Sequence, residues 1–353
     1  MKNFFLSQIN GIYKNLEIRD HQLRYLFLEI TRLCNLNCRH CGSDCSTSVS
    51  LPELATDSWL KIIDYVKDIF GTGVAFIITG GEPLVHPELE KIGEHISKNN
   101  MRWGIVTNGL SLTKDRLSSL IDAGIYSITI SYDGNRESHN YLRAAGNAHE
   151  KASAGVALIA ESTIPMKDAV TCVYPKNLNE LDVIASFLVE TGMPAWRLFR
   201  IFPNGRAADN PELVMDHKQT WRMLNWIADR KKYYHHKGLS INASCEGWVP
   251  FGFDRQIRDM PFFCRAGVNI AAILCDGTIT GCTNNNPSFY QGSIMTDSFS
   301  QVWEERFTDY RKRVWVKSTG CGLCKYLKQC CGGSIHLWKS KIDNPAFCYM
   351  KEI

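Results

Sequence analysis

Six short apolar runs recur between residues 26 and 201, and a helical stretch separates each from the next. They are Leu26–Ile30, Val74–Ile78, Trp103–Val106, Tyr126–Ile130, Ala169–Val173 and Trp196–Ile201. Val74-Ala75-Phe76-Ile77-Ile78 carries no polar side chain, as a strand covered on both faces requires. The intervening stretches read as helices. Trp59, Ile62, Ile63, Val66 and Ile69 share one helical face, with Thr56 expected as its cap and Gly71 as its stop. Pro87 is expected to open the next helix, and Thr113 and Gly124 to bound the one after it. Strand–helix units of this size build a parallel sheet with helices outside, and six of them curl into a partial (β/α)6, TIM-like barrel. The fold class is therefore α/β. Ligands collect at the carboxyl ends of such strands.

Before the first run, residues 1–23 read as an amphipathic lead-in, with Ile9, Ile12, Tyr13 and Leu16 at helical spacing. After residue 236, at Lys237-Gly238, helical periodicity fades and glycine, proline and cysteine rise. Three parts are expected: a lead-in (1–23), a barrel core (24–236) and a cysteine-rich domain (237–353).

A net charge of +4 is too slight to imply nucleic acid. No run reaches the length of a membrane span. Fourteen cysteines would suit a disulfide framework only in an exported protein. The first residues lack a long apolar core and a small-residue cleavage site. A cytoplasmic location is expected, where clustered cysteines more often bind metal.

Cys34, Cys38 and Cys41 follow the first strand at three-then-two spacing. Three thiolates leave one iron of a four-iron cluster open to another ligand. Structural thiols or zinc would also fit the spacing alone. Thr79-Gly80-Gly81-Glu82-Pro83 follows the second strand, Thr107-Asn108-Gly109 the third, and Ser131-Tyr132-Asp133-Gly134 the fourth. Glycines admit close approach of backbone to a ligand. Taken together, these motifs over 24–201 resemble the radical S-adenosylmethionine enzymes. The resemblance implies that Cys34, Cys38 and Cys41 hold a 4Fe-4S cluster whose open iron binds S-adenosylmethionine. Reductive cleavage there gives a 5'-deoxyadenosyl radical. His40 takes the family's aromatic-type position before the last cysteine. Gly80, Gly81 and Glu82 are implied to hold the methionyl amino group, and Ser131 the ribose. Arg143 could pair with the ligand carboxylate in a planar fork, and Asn108 belongs to the same mouth. Asp133 and His139 read as a turn residue and a structural histidine. No catalytic side chain is assigned.

Cys321-x2-Cys324-x5-Cys330, with Cys348 and with Cys264 and Cys282 upstream, resembles the SPASM extension over 245–348. That resemblance implies one auxiliary cluster on Cys321, Cys324, Cys330 and Cys348, and a second that includes Cys264 and Cys282. The family's usual cysteine four residues after Cys330 is Ser334 here. Cys245 is the preferred replacement over Cys275, Cys331 cannot simply stand in, and a three-thiolate, mixed-ligand or absent second cluster stays open. Cys45 and Cys172 have no expected partner.

Buried clusters can accept the second electron of a two-electron oxidation. The expected function is oxidative modification of a peptide or protein, with flavodoxin or ferredoxin as reductant. Three segments, Tyr25-Leu26-Phe27-Leu28-Glu29, Cys38-Arg39-His40-Cys41-Gly42-Ser43-Asp44-Cys45 and Ser334-Ile335-His336-Leu337-Trp338, are similar to a peptide-maturase branch. An anaerobic sulfatase maturase is the next reading, weakened by Thr283 where that branch has an Asp base. A small-molecule dehydrogenase and a non-enzymatic iron–sulfur electron carrier are the others.

Overall fold

The computed structural model describes residues 2–48, 52–245 and 247–350. Met1, at the start of the lead-in, and residues 351–353, at the end of the C-terminal part, lie outside them.

The expected alternation is present. Strands β1 (Tyr25–Glu29), β2 (Ala75–Thr79), β3 (Arg102–Thr107), β4 (Ser127–Ser131), β5 (Met166–Val173) and β6 (Ala195–Arg200) pair in parallel in sequence order. Between them run α2 (Thr56–Phe70), α3 (Leu89–Lys98), α4 (Lys114–Asp122), α5 (Arg136–Arg143), α6 (Ala148–Glu161) and α7 (Leu181–Glu190), after α1 (Lys2–Asp20). Thr113 caps α4 by accepting from Arg116 N–H, and Gly124 follows at φ +82°. Thr56 is instead the first residue of α2, whose cap position is Ala55. α3 starts at Leu89, two residues after Pro87.

The sheet is longer than six strands. After α8 (His217–His236), strand β7 (Ser240–Ala243) extends the parallel order beyond β6. After α9 (Phe251–Ile257), β8 (Ile270–Ile273) pairs in parallel with β1, and β9 (Thr278–Thr280) and β10 (Gly292–Ser293) continue antiparallel. The order is β10-β9-β8-β1-β2-β3-β4-β5-β6-β7. The cysteine-rich part thus supplies strands to both edges of the barrel sheet, and the boundary expected near 236 falls just before β7.

The two faces of the sheet differ. Leu26, Leu28, Phe76, Ile78, Ile128, Ile130, Trp196 and Leu198 are fully enclosed under the helices. Ile77, Val106, Asp168, Cys172, Arg197, Phe199 and Asn242, on the concave face, keep part of their surface. An apolar outer face and a partly open inner face of mixed polarity make a cleft rather than a filled barrel.

The lead-in does not bury its expected face. Ile9, Ile12 and Leu16 are exposed, Ile12 at 61%. α1 instead turns Tyr13 to Phe263, with rings 6.4 Å apart, and Glu17 to Asn269 and Arg24, at 2.7 and 2.8 Å. Polar anchoring outweighs the apolar stripe because the body offers Asn269 and Arg24 there.

Candidate functional site

The loop that carries Cys34, Cys38 and Cys41 starts where β1 ends. Its base is zipped to the loop after β2: Gly81 N–H donates to Thr31 C=O at 2.8 Å, and Glu82 N–H to Leu33 C=O at 3.0 Å. A Cβ on Gly80 would stand 2.2 Å from Thr31 O, and one on Gly81 2.2 Å from Leu33 O. The close approach these glycines permit includes one to the cysteine loop itself.

Glu82 is the bolt of this joint. Its carboxylate accepts from Thr107 Oγ1 at 2.7 Å, Asn108 N–H at 2.7 Å and Leu84 N–H at 3.1 Å. A carboxylate offers about four acceptor directions, so one remains for an ammonium group. Burial raises its pKa, while these donors oppose the rise. Asn108 joins β3 to the same loop, with Nδ2 donating to Asn35 Oδ1 at 2.8 Å and lying 3.9 Å from Cys34 Sγ.

Cys34, Leu36, Cys38 and Cys45 pack as one small cluster, with Cys41 against it. Cys45 N–H donates to Cys41 Sγ at 3.4 Å. Burial pushes the Cys34 thiol up to about 12, and Cys38 and Cys41 reinforce it. The three thiols lie near one another without closing round a single-ion position among the described residues.

Arg143, at the end of α5, reaches this cluster. Its Nη1 lies 3.9 Å from Cys38 Sγ, and its Nε and Nη2 donate to Asp133 Oδ2 at 2.7 and 2.6 Å. Asp133 is fully buried, and its other oxygen accepts from Cys172 N–H at 2.8 Å. The turn residue is thus also the counter-ion that aims the guanidinium. His139 lies 3.7 Å from the same carboxylate, but that is no ion pair. Its Nδ1 already accepts from Asp133 N–H at 3.0 Å, and burial lowers its pKa to about 3. His40 is neutral for the same reason, lowered to about 4 by burial and by Arg143, and its buried Nδ1 has no partner among the described residues. Ser131 is buried at the end of β4, in register with Val170.

Three residues escaped the sequence analysis. Arg206, beyond β6, donates to the carbonyls of Cys38 at 2.8 Å and Cys45 at 2.7 Å and pairs with Asp44 at 2.7 Å. Gly205 makes room for it, because a Cβ there would stand 2.4 Å from Cys41 O. Glu29 ends β1 in register with Thr79, whose hydroxyl is buried without a partner among the described residues. Burial holds the Glu29 carboxyl up to about 7, against the pull of Arg32 and of hydrogen bonds from Cys275. A carboxylate closing an apolar strand was the signal available for Glu29.

In the C-terminal part, the half-buried Cys330 loses hydration, which with Cys348, Cys331 and Cys321 nearby carries its thiol up to about 12. Cys324 N–H donates to Cys321 C=O at 3.0 Å. Cys331 turns away, its Sγ 2.9 Å from Lys14 Nζ. Cys282 and Cys264 interact, and burial raises the Cys282 thiol. Ser334 Oγ donates to Cys245 C=O at 3.2 Å, whereas Cys275 belongs with Glu29 and Arg32. The two cysteine regions meet at the mouth. Asn204 Nδ2 donates to His336 C=O at 3.1 Å, the Phe202 and His336 rings lie tilted with centroids 4.2 Å apart, and a Cβ on Gly42 would lie 3.8 Å from Asn284 Oδ1.

These residues fit the implied groups. Cys34, Cys38, Cys282 and Cys330, raised by burial, call for a positive partner to ionise, which iron supplies, whereas hydrogen bonding with Cys45 already lowers Cys41 to about 6. The unpartnered Thr79 hydroxyl and the free direction on Glu82 lie at and just after the end of β2, and the Arg143 guanidinium reaches the cysteine loop from the end of α5, so an amino-acid head group could be held among them.

Residues 28–188 match the model of the radical SAM superfamily, and 264–331 that of SPASM, an iron–sulfur cluster-binding domain. The PqqA peptide cyclase of Bradyrhizobium diazoefficiens is 32% identical over 87% of this chain and 80% of its own. The AdoMet-dependent heme synthase of Methanosarcina barkeri is 28% identical over 88% of this chain and 90% of its own. The crystal structure of Streptococcus suis SuiB bound to S-adenosylmethionine superposes with a TM-score of 0.71 at 16% identity, over 94% of this chain and 79% of that one. At that identity the superposition speaks for the fold.

Proposed function

This chain belongs to the radical SAM superfamily and carries a SPASM iron–sulfur domain, and from that premise we propose that it oxidatively modifies a peptide substrate. When bound, the first cluster with S-adenosylmethionine supplies one-electron hydrogen abstraction, and the auxiliary clusters supply an acceptor for a second electron.

The chain's own residues arrange the rest. Cys34, Cys38 and Cys41 would hold the first cluster, with Arg206 and the Gly80–Gly81 joint keeping their loop in place. Glu82, through its free direction, and Arg143 would orient the amino and carboxylate ends of S-adenosylmethionine, with Asn108, Ser131 and His40 around it. Cys321, Cys324, Cys330 and Cys348 would hold one auxiliary cluster, and Cys264, Cys282 and Cys245 a second.

The observation that carries the oxidative reading is the meeting at the mouth. Gly42, next to Cys41, faces Asn284, two residues from Cys282. A substrate entering there lies between the two thiol sets. The 32% identical peptide cyclase favours a peptide. The 28% identity to a heme synthase over most of both chains favours a second reading, a tetrapyrrole-like small molecule. A flavodoxin or ferredoxin would serve as reductant.

The test is anaerobic reconstitution with dithionite and S-adenosylmethionine. The wild type should release 5'-deoxyadenosine, and Cys38→Ala should release none. Small peptides encoded beside the gene should then lose hydrogen by mass spectrometry. Turnover of a porphyrin with no change in any such peptide would favour the second reading. A wild type that forms no 5'-deoxyadenosine would sink both.

A further inference from the structure

The concave face carries one charged constellation that the site above does not use. Asp168 on β5 accepts from Thr129 Oγ1 on β4 at 2.6 Å, and its other oxygen is paired with Arg197 Nε on β6. Arg197 Nη2 donates to the same Thr129 hydroxyl at 2.9 Å. Charged residues within parallel strands oppose the usual apolar composition of such strands. Arg197 is set well inside the sheet, yet 39% of its side chain is reachable by water, against 17% for Asp168. A side chain in that position with that exposure lines the cleft.

Donor arithmetic shows what is left over. A guanidinium has five N–H groups. One at Nε and one at Nη2 are taken, so both at Nη1 and the second at Nη2 remain, and among the described residues none of these has a partner. These three form the terminal fork, which matches the two oxygens of a carboxylate. The Nε side is fixed by Asp168 and Thr129, so the fork is aimed before any ligand arrives.

The register places the fork relative to the candidate nucleotide site. Ser131 lies beside Val170, and Val170 beside Arg197. With adjacent strands about 4.8 Å apart, Arg197 starts about 10 Å across the sheet from Ser131. An acid group gripped there would lie about two strand spacings from the Ser131 end of β4. Cys245 also lies within electrostatic reach of Arg197.

We propose that Arg197, held by Asp168 and Thr129, is a specificity-determining anchor for a carboxylate group on the substrate. The inference rests on the radical SAM reading above and adds the substrate's chemical class, an organic acid. Its source is an acidic side chain of a peptide or a small free acid, and both present the same group to the fork.

The test measures equilibrium binding to the anaerobically reconstituted enzyme. The probes are acetyl-Gly-Glu-Gly-amide, its Gln counterpart and glutarate. The wild type should bind the Glu peptide at least tenfold more tightly than the Gln peptide. Arg197→Gln should erase that gap, and Arg197→Lys, which keeps the charge and loses the fork, should keep part of it. Arg197-dependent binding of the Glu peptide without glutarate assigns the acid to a peptide; equal binding of glutarate assigns it to a small molecule. Iron content and thermal melting report folding, and should Arg197→Gln not fold, the wild-type gap and its reduction in Arg197→Lys decide. No Glu-over-Gln preference in the wild type, or an undiminished one in Arg197→Gln, overturns the proposal. So does an Arg197→Gln enzyme that loses iron while keeping the preference, which would make Arg197 a counter-ion for Cys245. If the wild type forms 5'-deoxyadenosine but shows no preference, only this inference fails.

Discussion

Arg206 Nε donates to the Cys38 carbonyl at 2.8 Å, although the two residues stand 168 positions apart. The contact ties the loop of the first three thiols to the segment after the sixth strand. Its second arm reaches the Cys45 carbonyl at 2.7 Å, so the guanidinium spans the loop.

Replacing it should loosen the loop. Arg206→Ala removes charged hydrogen bonds worth about 1.5–3 kcal/mol each and leaves two carbonyls in want of donors. We expect a loss of about 2–4 kcal/mol in denaturant unfolding and faster release of iron to a chelator. Arg206→Lys should recover part of both. Unchanged chelation kinetics in Arg206→Ala would mean that the clamp is not what holds the loop.

Glu29 predicts a pH dependence. In the unfolded chain its carboxyl ionises near 4.5, while in the folded chain it keeps its proton to about 7. Between these values the folded state binds more protons, so stability falls as pH rises through that window. At 1.36 kcal/mol per pH unit, the cost is on the order of 3 kcal/mol once the pH exceeds 7. Glu29→Gln should flatten this part of the profile. Melting temperatures between pH 4.5 and 8 for both proteins decide it, and parallel profiles would count against the shift.

Ser334 and Cys245 predict an iron count. Cys245→Ser should lower the iron of the reconstituted enzyme by about one cluster, whereas Cys275→Ser should not, because Cys275 is buried against Glu29 rather than with Cys264 and Cys282. The opposite pattern in iron analysis and Mössbauer spectra would reassign the ligand.

Cys348 separates the two halves of the reaction. Cys348→Ala should leave 5'-deoxyadenosine formation within about twofold of wild type, since Cys348 gathers with Cys330 and not with Cys34, Cys38 or Cys41. It should abolish the oxidised product. Product at wild-type yield would show that the C-terminal cluster is dispensable.

The cysteine triplet, the Gly80-Gly81-Glu82 turn and the six strands could be read from the chain because each is local. Thiols at fixed spacing, glycines after an apolar run and a 3.6-residue period need no knowledge of distant residues. Gly71 and Gly124 likewise end their helices with positive φ, as their positions implied. Asp133 behind Arg143, Arg206 over Cys38, and Arg197 set by Asp168 and Thr129 could not be read in this way. Each joins residues on different elements, and only the packing of those elements brings them together. The same holds for α1, where helical spacing suggested an inward Ile12 but Asn269 and Arg24 turned Glu17 inward instead. Local spacing determined which groups this protein can bind. Only the tertiary structure decided which charges face the cleft, because the pairing of β4, β5 and β6 is a long-range choice that covers one face of each strand and leaves the other open.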